Sequence, residues 1–195
     1  MEGIVPRWEW RTWGTDFGEA DARFAALKPE MVQESDEIYL VSSVTDRAVK
    51  IRMGLMDIKS LEQVNEAGLE QWRPVLKAKL PLSREDAEGV LAALGASLPA
   101  PGKDDYTLDE LLLELAAGKM DVRAVPLHKE RVHYTVGGCM AEMTEVLVVG
   151  ERARTIAIES TDADRVIAAV RDLGLSGHPN TSYPRWLKTA MGIGT

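Results

Sequence analysis

Lysine and arginine recur at alternate positions along this chain. Lys50 and Arg52 flank Ile51, Asp57 and Lys59 flank Ile58, and Lys77 and Lys79 flank Ala78. Lys129, Arg131 and His133 are interleaved with Val132, Arg7, Glu9 and Arg11 alternate with Trp8 and Trp10, and Arg152 and Arg154 precede Thr155, Ala157 and Glu159. Successive side chains of a strand point to opposite faces, so these sets segregate charge onto one face of each strand. Gathered together, arginine forks that bind oxygens in pairs and lysine point charges suit a polyphosphate chain. Isolated carboxylates stand among them at Glu9, Glu142, Glu145 and Glu159. Such groups hold Mg²⁺ or Mn²⁺ that also touches phosphate, or they form salt bridges to neighbours such as Arg11 and Arg154. The pattern leaves both roles open.

The elements that must position these residues are strands for the most part. Strands are predicted over Val5 to Trp13, Val32 to Ser43, Ala48 to Met53, Leu55 to Leu61, Leu69 to Leu80, Asp121 to Val136, Cys139 to Val149 and Ala153 to Ser160. Gly54 and the Gly137-Gly138 pair mark hairpin turns. Helices are predicted over Phe17 to Leu27, Arg84 to Leu94 behind a Ser83 cap, Leu108 to Ala117 behind Thr107, and Ala163 to Leu173 behind Thr161 and Asp162. A last short helix falls between Asn180 and Met191. The segment Leu98-Pro-Ala-Pro-Gly-Lys-Asp-Asp reads as a linker between two strand-plus-helix halves of one domain spanning 1–195. Neighbouring antiparallel strands with helices between blocks predict an α+β fold: an eight-stranded closed or nearly closed antiparallel barrel with helices packed outside.

Charge and composition narrow the partners. The 23 basic and 31 acidic residues leave a net charge of −8, which argues against coating DNA or an anionic membrane. Basic strand faces within an acidic protein then have two explanations. They face water on a one-sided sheet, or they line the inside of a barrel whose apolar outer face carries the helices. Apolar runs reach only five residues, as in Val90 to Leu94, and no secretory signal opens the chain. The single cysteine, Cys139, favours a reducing compartment such as the cytoplasm. His128, His133 and His178 are scattered and form no zinc pattern with Cys139, and phosphate loops of the Walker type are missing.

Trp8-Glu9-Trp10-Arg11, Val49-Lys50-Ile51-Arg52, Met56-Asp57-Ile58-Lys59, Lys77-Ala78-Lys79, Lys129-Glu130-Arg131, Ala141-Glu142-Met143, Ile158-Glu159 and Ser182-Tyr183 follow one another in an order that resembles the CYTH superfamily of triphosphate tunnel metalloenzymes. The resemblance covers nearly the whole chain and rests on order and spacing rather than on any single piece. It implies a tunnel-forming barrel that hydrolyses inorganic triphosphate, thiamine triphosphate or RNA 5′-triphosphate, or cyclises ATP, with Mg²⁺ or Mn²⁺ as cofactor. It implies Arg11, Lys50, Arg52, Lys59, Lys77, Lys79, Lys129, Arg131 and Arg154 as substrate-binding residues. Glu9, Glu142 and Glu159 become metal ligands, with Glu142 and Glu159 also catalytic. The family opens on Glu-x-Glu-x-Lys, whereas this chain has Arg7-Trp8-Glu9-Trp10-Arg11, so one carboxylate is replaced by arginine. Fewer carboxylates weaken metal binding, and a non-catalytic module for polyphosphate or a phosphorylated metabolite is the alternative function. A plain interaction domain with wet basic faces is the third.

Overall fold

A computed structural model describes residues 5–97, 103–118 and 121–194. Its elements, in chain order, are β1 (Arg7–Gly14), α1 (Glu19–Ala25), β2 (Met31–Ser42), β3 (Ala48–Arg52), β4 (Leu55–Val64), β5 (Glu70–Lys79), β6 (Leu82–Ser83), α2 (Arg84–Ala93), β7 (Asp105–Tyr106), α3 (Leu108–Ala117), β8 (Val122–Val136), β9 (Cys139–Val148), β10 (Glu151–Ser160), α4 (Ala163–Asp172) and α5 (Tyr183–Met191). Eight of the strands form a closed antiparallel barrel in the order β1, β10, β9, β8, β2, β3, β4, β5. Closure rests on β1, which pairs with β10 over Trp8–Gly14 and with β5 over Arg7–Glu9. Closing the sheet leaves no free edge and creates an inside.

Local sequence accounts for the ends of these elements. The β3–β4 and β8–β9 hairpins turn through Met53-Gly54 and Gly137-Gly138, all at positive φ, as two-residue turns require. Ser83 caps α2 by accepting the Asp86 amide, and Thr107 and Glu110 form a reciprocal capping box on α3. Asp162 caps α4 by accepting the amides of Asp164 and Arg165. Residues 98–102 of the expected linker lie outside the described residues. At the far end of that segment Asp105 enters β7, which pairs with β6.

The period-two rule sorts the apolar residues into three buried groups. Outside the barrel, Trp10, Tyr134, Ile156 and Ile158 pack beneath α1 and α4, which contribute Phe24, Val166 and Ala169. On another outer side, Leu40, Val49, Ile51, Met56 and Ile58 pack beneath α2 and α3, which contribute Val90, Leu91, Leu111 and Leu115. The third group is internal: Tyr39, Val41, Val125, Leu127, Val146 and Val148 surround Tyr183 and Leu187 of α5. The last helix therefore plugs the barrel rather than packing on its outer body. Trp13 holds it there, stacking on Trp186 with 3.8 Å between ring centroids and donating from its indole nitrogen to the Thr181 carbonyl at 2.9 Å. No described helix is long and apolar enough to cross a membrane.

Candidate functional site

Above the α5 plug, the barrel encloses a cavity of about 330 Å³, at the small end of the range for small-molecule sites. Glu9, Arg11, Lys50, Arg52, Lys59, Lys129, Arg131, Glu142 and Glu159 all line it, so nine of the residues singled out in the sequence converge on one space. The alternating faces that carry these charges are inward, not wet. Two walls with different chemistry result.

The basic wall is built by β2, β3, β4 and β8. At its centre is Glu37, whose side chain is fully buried. The Glu37 carboxylate accepts from Lys129 Nζ at 3.0 Å and Lys50 Nζ at 3.3 Å, pairs closely with Arg131, lies 3.8 Å from Arg52 Nη1, and accepts the Ser35 hydroxyl at 3.2 Å. Burial alone would raise its pKa. The surrounding Lys129, Lys50 and Arg131 outweigh burial and hold it well below the usual carboxylate range. One carboxylate cannot compensate four cations. Burial, with Lys50 and Arg131 close by, pulls the Lys129 ammonium well below its ordinary pKa, and a second anion here would relieve that repulsion.

The opposite wall, built by β5, β1, β10 and β9, carries the carboxylates. Arg11 is buried and donates from Nε to Glu9 at 2.9 Å, from Nη2 to Glu142 at 2.9 Å, and from Nη1 to the Thr155 hydroxyl at 3.3 Å. Arg7 reaches Glu159 at 3.1 Å. Glu70, which faces Glu9 in the register, is held by Arg185 of α5 and by the Trp72 indole. Burial would raise the Glu142 pKa, but Arg11, Lys129 and Arg131 bring it down to about 2. Stability from this pairing is therefore complete above the ordinary glutamate pKa and is lost as pH falls toward 2. Acid unfolding followed by circular dichroism should be less steep in Glu142→Gln than in the parent. Superimposable profiles would remove the linkage.

Between the walls stands the N-terminal turn of α5. Ser182, Tyr183 and Pro184 line the cavity, and the first turn of α5 contains no acidic residue. The Tyr183 ring lies between two cations, Lys129 Nζ at 3.7 Å and the Arg11 guanidinium at 4.6 Å from its centroid. Lys129 also donates to the Tyr39 hydroxyl at 3.1 Å. Burial pushes both phenols above their ordinary pKa, so both remain protonated. Among the described residues, the hydroxyls of Ser182 and Tyr183 are buried without a partner.

Three expected phosphate ligands lie elsewhere. Arg154 is on the outer surface of the barrel, paired with Asp21 of α1 at 2.7 Å and with Glu145 at 2.9 Å. It is five residues from Glu159, so the pleat puts the two on opposite faces. Lys77 and Lys79 are exposed and do not line the cavity: the register pairs them with Asp57 and Leu55 while Leu76 and Ala78 pack in the outer core, so both lysines share the inward face but reach solvent. Glu37, Tyr39, Gln33 and Trp72 were not singled out from sequence. The signal for the first two was present, since Glu37 and Tyr39 alternate with Ile38 and Leu40 as the charges of β3 alternate with Val49 and Ile51.

Among the described residues, no three His, Cys, Asp or Glu side chains are grouped so as to hold a metal ion. The donor chemistry explains why Glu9, Glu142 and Glu159 do not fit one. Arg11 spans the first two, Arg7 holds the third, and a cation at either place meets a guanidinium.

No family model matches the chain, and no curated protein matches it. Solved structures do match. A candidate adenylyl cyclase from Hippeastrum that reveals a dominant triphosphatase activity is 14% identical, covers 95% of this chain and 96% of its own, and has a TM-score of 0.55. A conserved hypothetical protein from Pyrococcus furiosus is 16% identical over 91% of this chain and 98% of its own, with a TM-score of 0.52. These likenesses establish the fold. The chain is an α+β protein built on a closed eight-stranded antiparallel barrel.

Proposed function

We propose that this protein is a divergent CYTH-superfamily member that binds a linear triphosphate, inorganic tripolyphosphate or an organic triphosphate, inside its barrel. Cleavage of a phosphoanhydride bond is the reaction the site serves. The observation that carries this reading is the convergence of Lys50, Arg52, Lys59, Lys129 and Arg131 on one cavity, in a protein whose net charge is −8. Like charges brought together at that cost are stabilised by a multivalent anion, and the fork geometry of arginine matches phosphate oxygens. The unpartnered hydroxyls of Ser182 and Tyr183 add donors between the walls. The triphosphatase activity of the Hippeastrum protein supports the same class of substrate. One observation favours a second reading, binding without turnover: Glu9, Glu142 and Glu159 are each engaged by arginine.

The test pairs a thermal shift with a phosphate-release assay, using tripolyphosphate, ATP and thiamine triphosphate, each with and without Mg²⁺ or Mn²⁺. Tripolyphosphate should raise the melting temperature at low ionic strength by linkage to the folded state, and phosphate should appear with at least one donor. A shift without release would select the binding module. No shift at low ionic strength would remove the site.

A further inference from the structure

We infer that the cavity takes its polyphosphate without a divalent cation, with Arg7 and Arg11 supplying the positive charge that offsets the acidic wall. The inference rests on the functional reading above and deepens it. A wall of three carboxylates, Glu9, Glu142 and Glu159, would repel a phosphate chain unless a cation neutralised it. That neutralisation is covalently attached. Two guanidiniums face the three carboxylates and leave a single negative charge. Across the cavity, five cations (Lys50, Arg52, Lys59, Lys129 and Arg131) face two carboxylates, Glu37 and Asp57, and leave an excess of three positive charges.

Arg11 could yield to a metal ion only at a high cost. All three of its side-chain nitrogens have acceptors, its side chain is 8% exposed, and evicting it would strand a buried charge. Arg7 differs. Its side chain is 46% exposed and holds Glu159 through one nitrogen, beside a smaller recess of about 230 Å³ that it shares with Lys59 and Glu159. The remaining donors of Arg7 are free to meet phosphate oxygens where the two walls approach each other.

Isothermal titration of the purified chain with tripolyphosphate, in EDTA and again in Mg²⁺, tests this directly. Tripolyphosphate should bind in EDTA and no more tightly in Mg²⁺, which itself complexes the anion, and Mn²⁺ alone, followed by its electron paramagnetic resonance signal, should not bind the parent. Arg7→Ala should weaken tripolyphosphate in EDTA by about tenfold and let Mn²⁺ bind at the released Glu159. Arg7→Lys, which keeps the charge but loses the fork, should fall between. Tripolyphosphate binding that requires Mg²⁺, or Mn²⁺ binding to the parent, would overturn the inference and leave the functional reading standing. Absence of binding in both buffers would overturn the functional reading, and this inference with it.

Discussion

Glu37→Gln is expected to destabilise the unliganded protein by about 3–5 kcal/mol, the range seen when one partner of a buried ion pair is removed. The carboxylate has no solvent-exposed side-chain area and is the shared anion of Lys50, Arg52, Lys129 and Arg131. Glutamine keeps the shape and one acceptor oxygen but removes the negative charge that these four cations share. The sign with pH follows from the lowered pKa of Glu37. Its contribution is present in full above the unfolded glutamate pKa and fades as pH falls through the depressed native value, so parent and variant should converge in acid. Tripolyphosphate should restore much of the loss by supplying the missing negative charge, and the ligand-induced shift in Tm should be larger in the variant than in the parent. Urea denaturation near neutral pH, with and without tripolyphosphate, reads both effects. Equal stability of parent and variant would mean that the basic wall does not depend on its internal anion.

A second large effect is expected from Arg131→Ala, with Arg154→Ala as its counterpart. Arg131 is buried and donates to Gln33 at 3.2 Å and Ser35 at 3.0 Å beside its pairing with Glu37. Hydrogen bonds to charged groups contribute roughly 1.5–3 kcal/mol each, so the loss of Arg131 should weaken tripolyphosphate about 10- to 100-fold. Arg52→Ala should also weaken binding, with less cost to stability, because Arg52 is partly exposed and stands 3.8 Å from Glu37. Arg154→Ala should leave affinity unchanged, since that guanidinium faces Asp21 and Glu145 on the outside of the barrel. Titration calorimetry on the three variants separates inward from outward arginines. If Arg154→Ala lost affinity as Arg131→Ala is expected to, the assignment of faces would be wrong.

Much of this architecture was legible in the residues themselves. Alternation within Val49-Lys50-Ile51-Arg52 and Met56-Asp57-Ile58-Lys59 marked strands with one charged face, and Gly54 placed the turn between them. Thr107, and Ser83 with Asp86, marked helix starts by their hydrogen-bonding chemistry. These signals are local, because the pleat, the turn and the cap each depend on residues a few positions apart.

Only the tertiary structure decided which face was the inside and which charges meet there. Strand alternation divides residues into two sets without ranking them, and closure of β1 onto both β5 and β10 turned the charged set into a cavity. The grouping of Glu37 with Lys50, Lys129 and Arg131 depends on β2 pairing with both β3 and β8, a neighbour relation that crosses more than eighty positions of chain. Solvent exposure keeps Lys77 and Lys79 out of the lining although they share its face, and insertion of α5 closed one end with Tyr183. The chain's own pattern thus determined the elements and their charged faces. Electrostatic pairing is set by distance in space, and that was fixed only when the barrel closed.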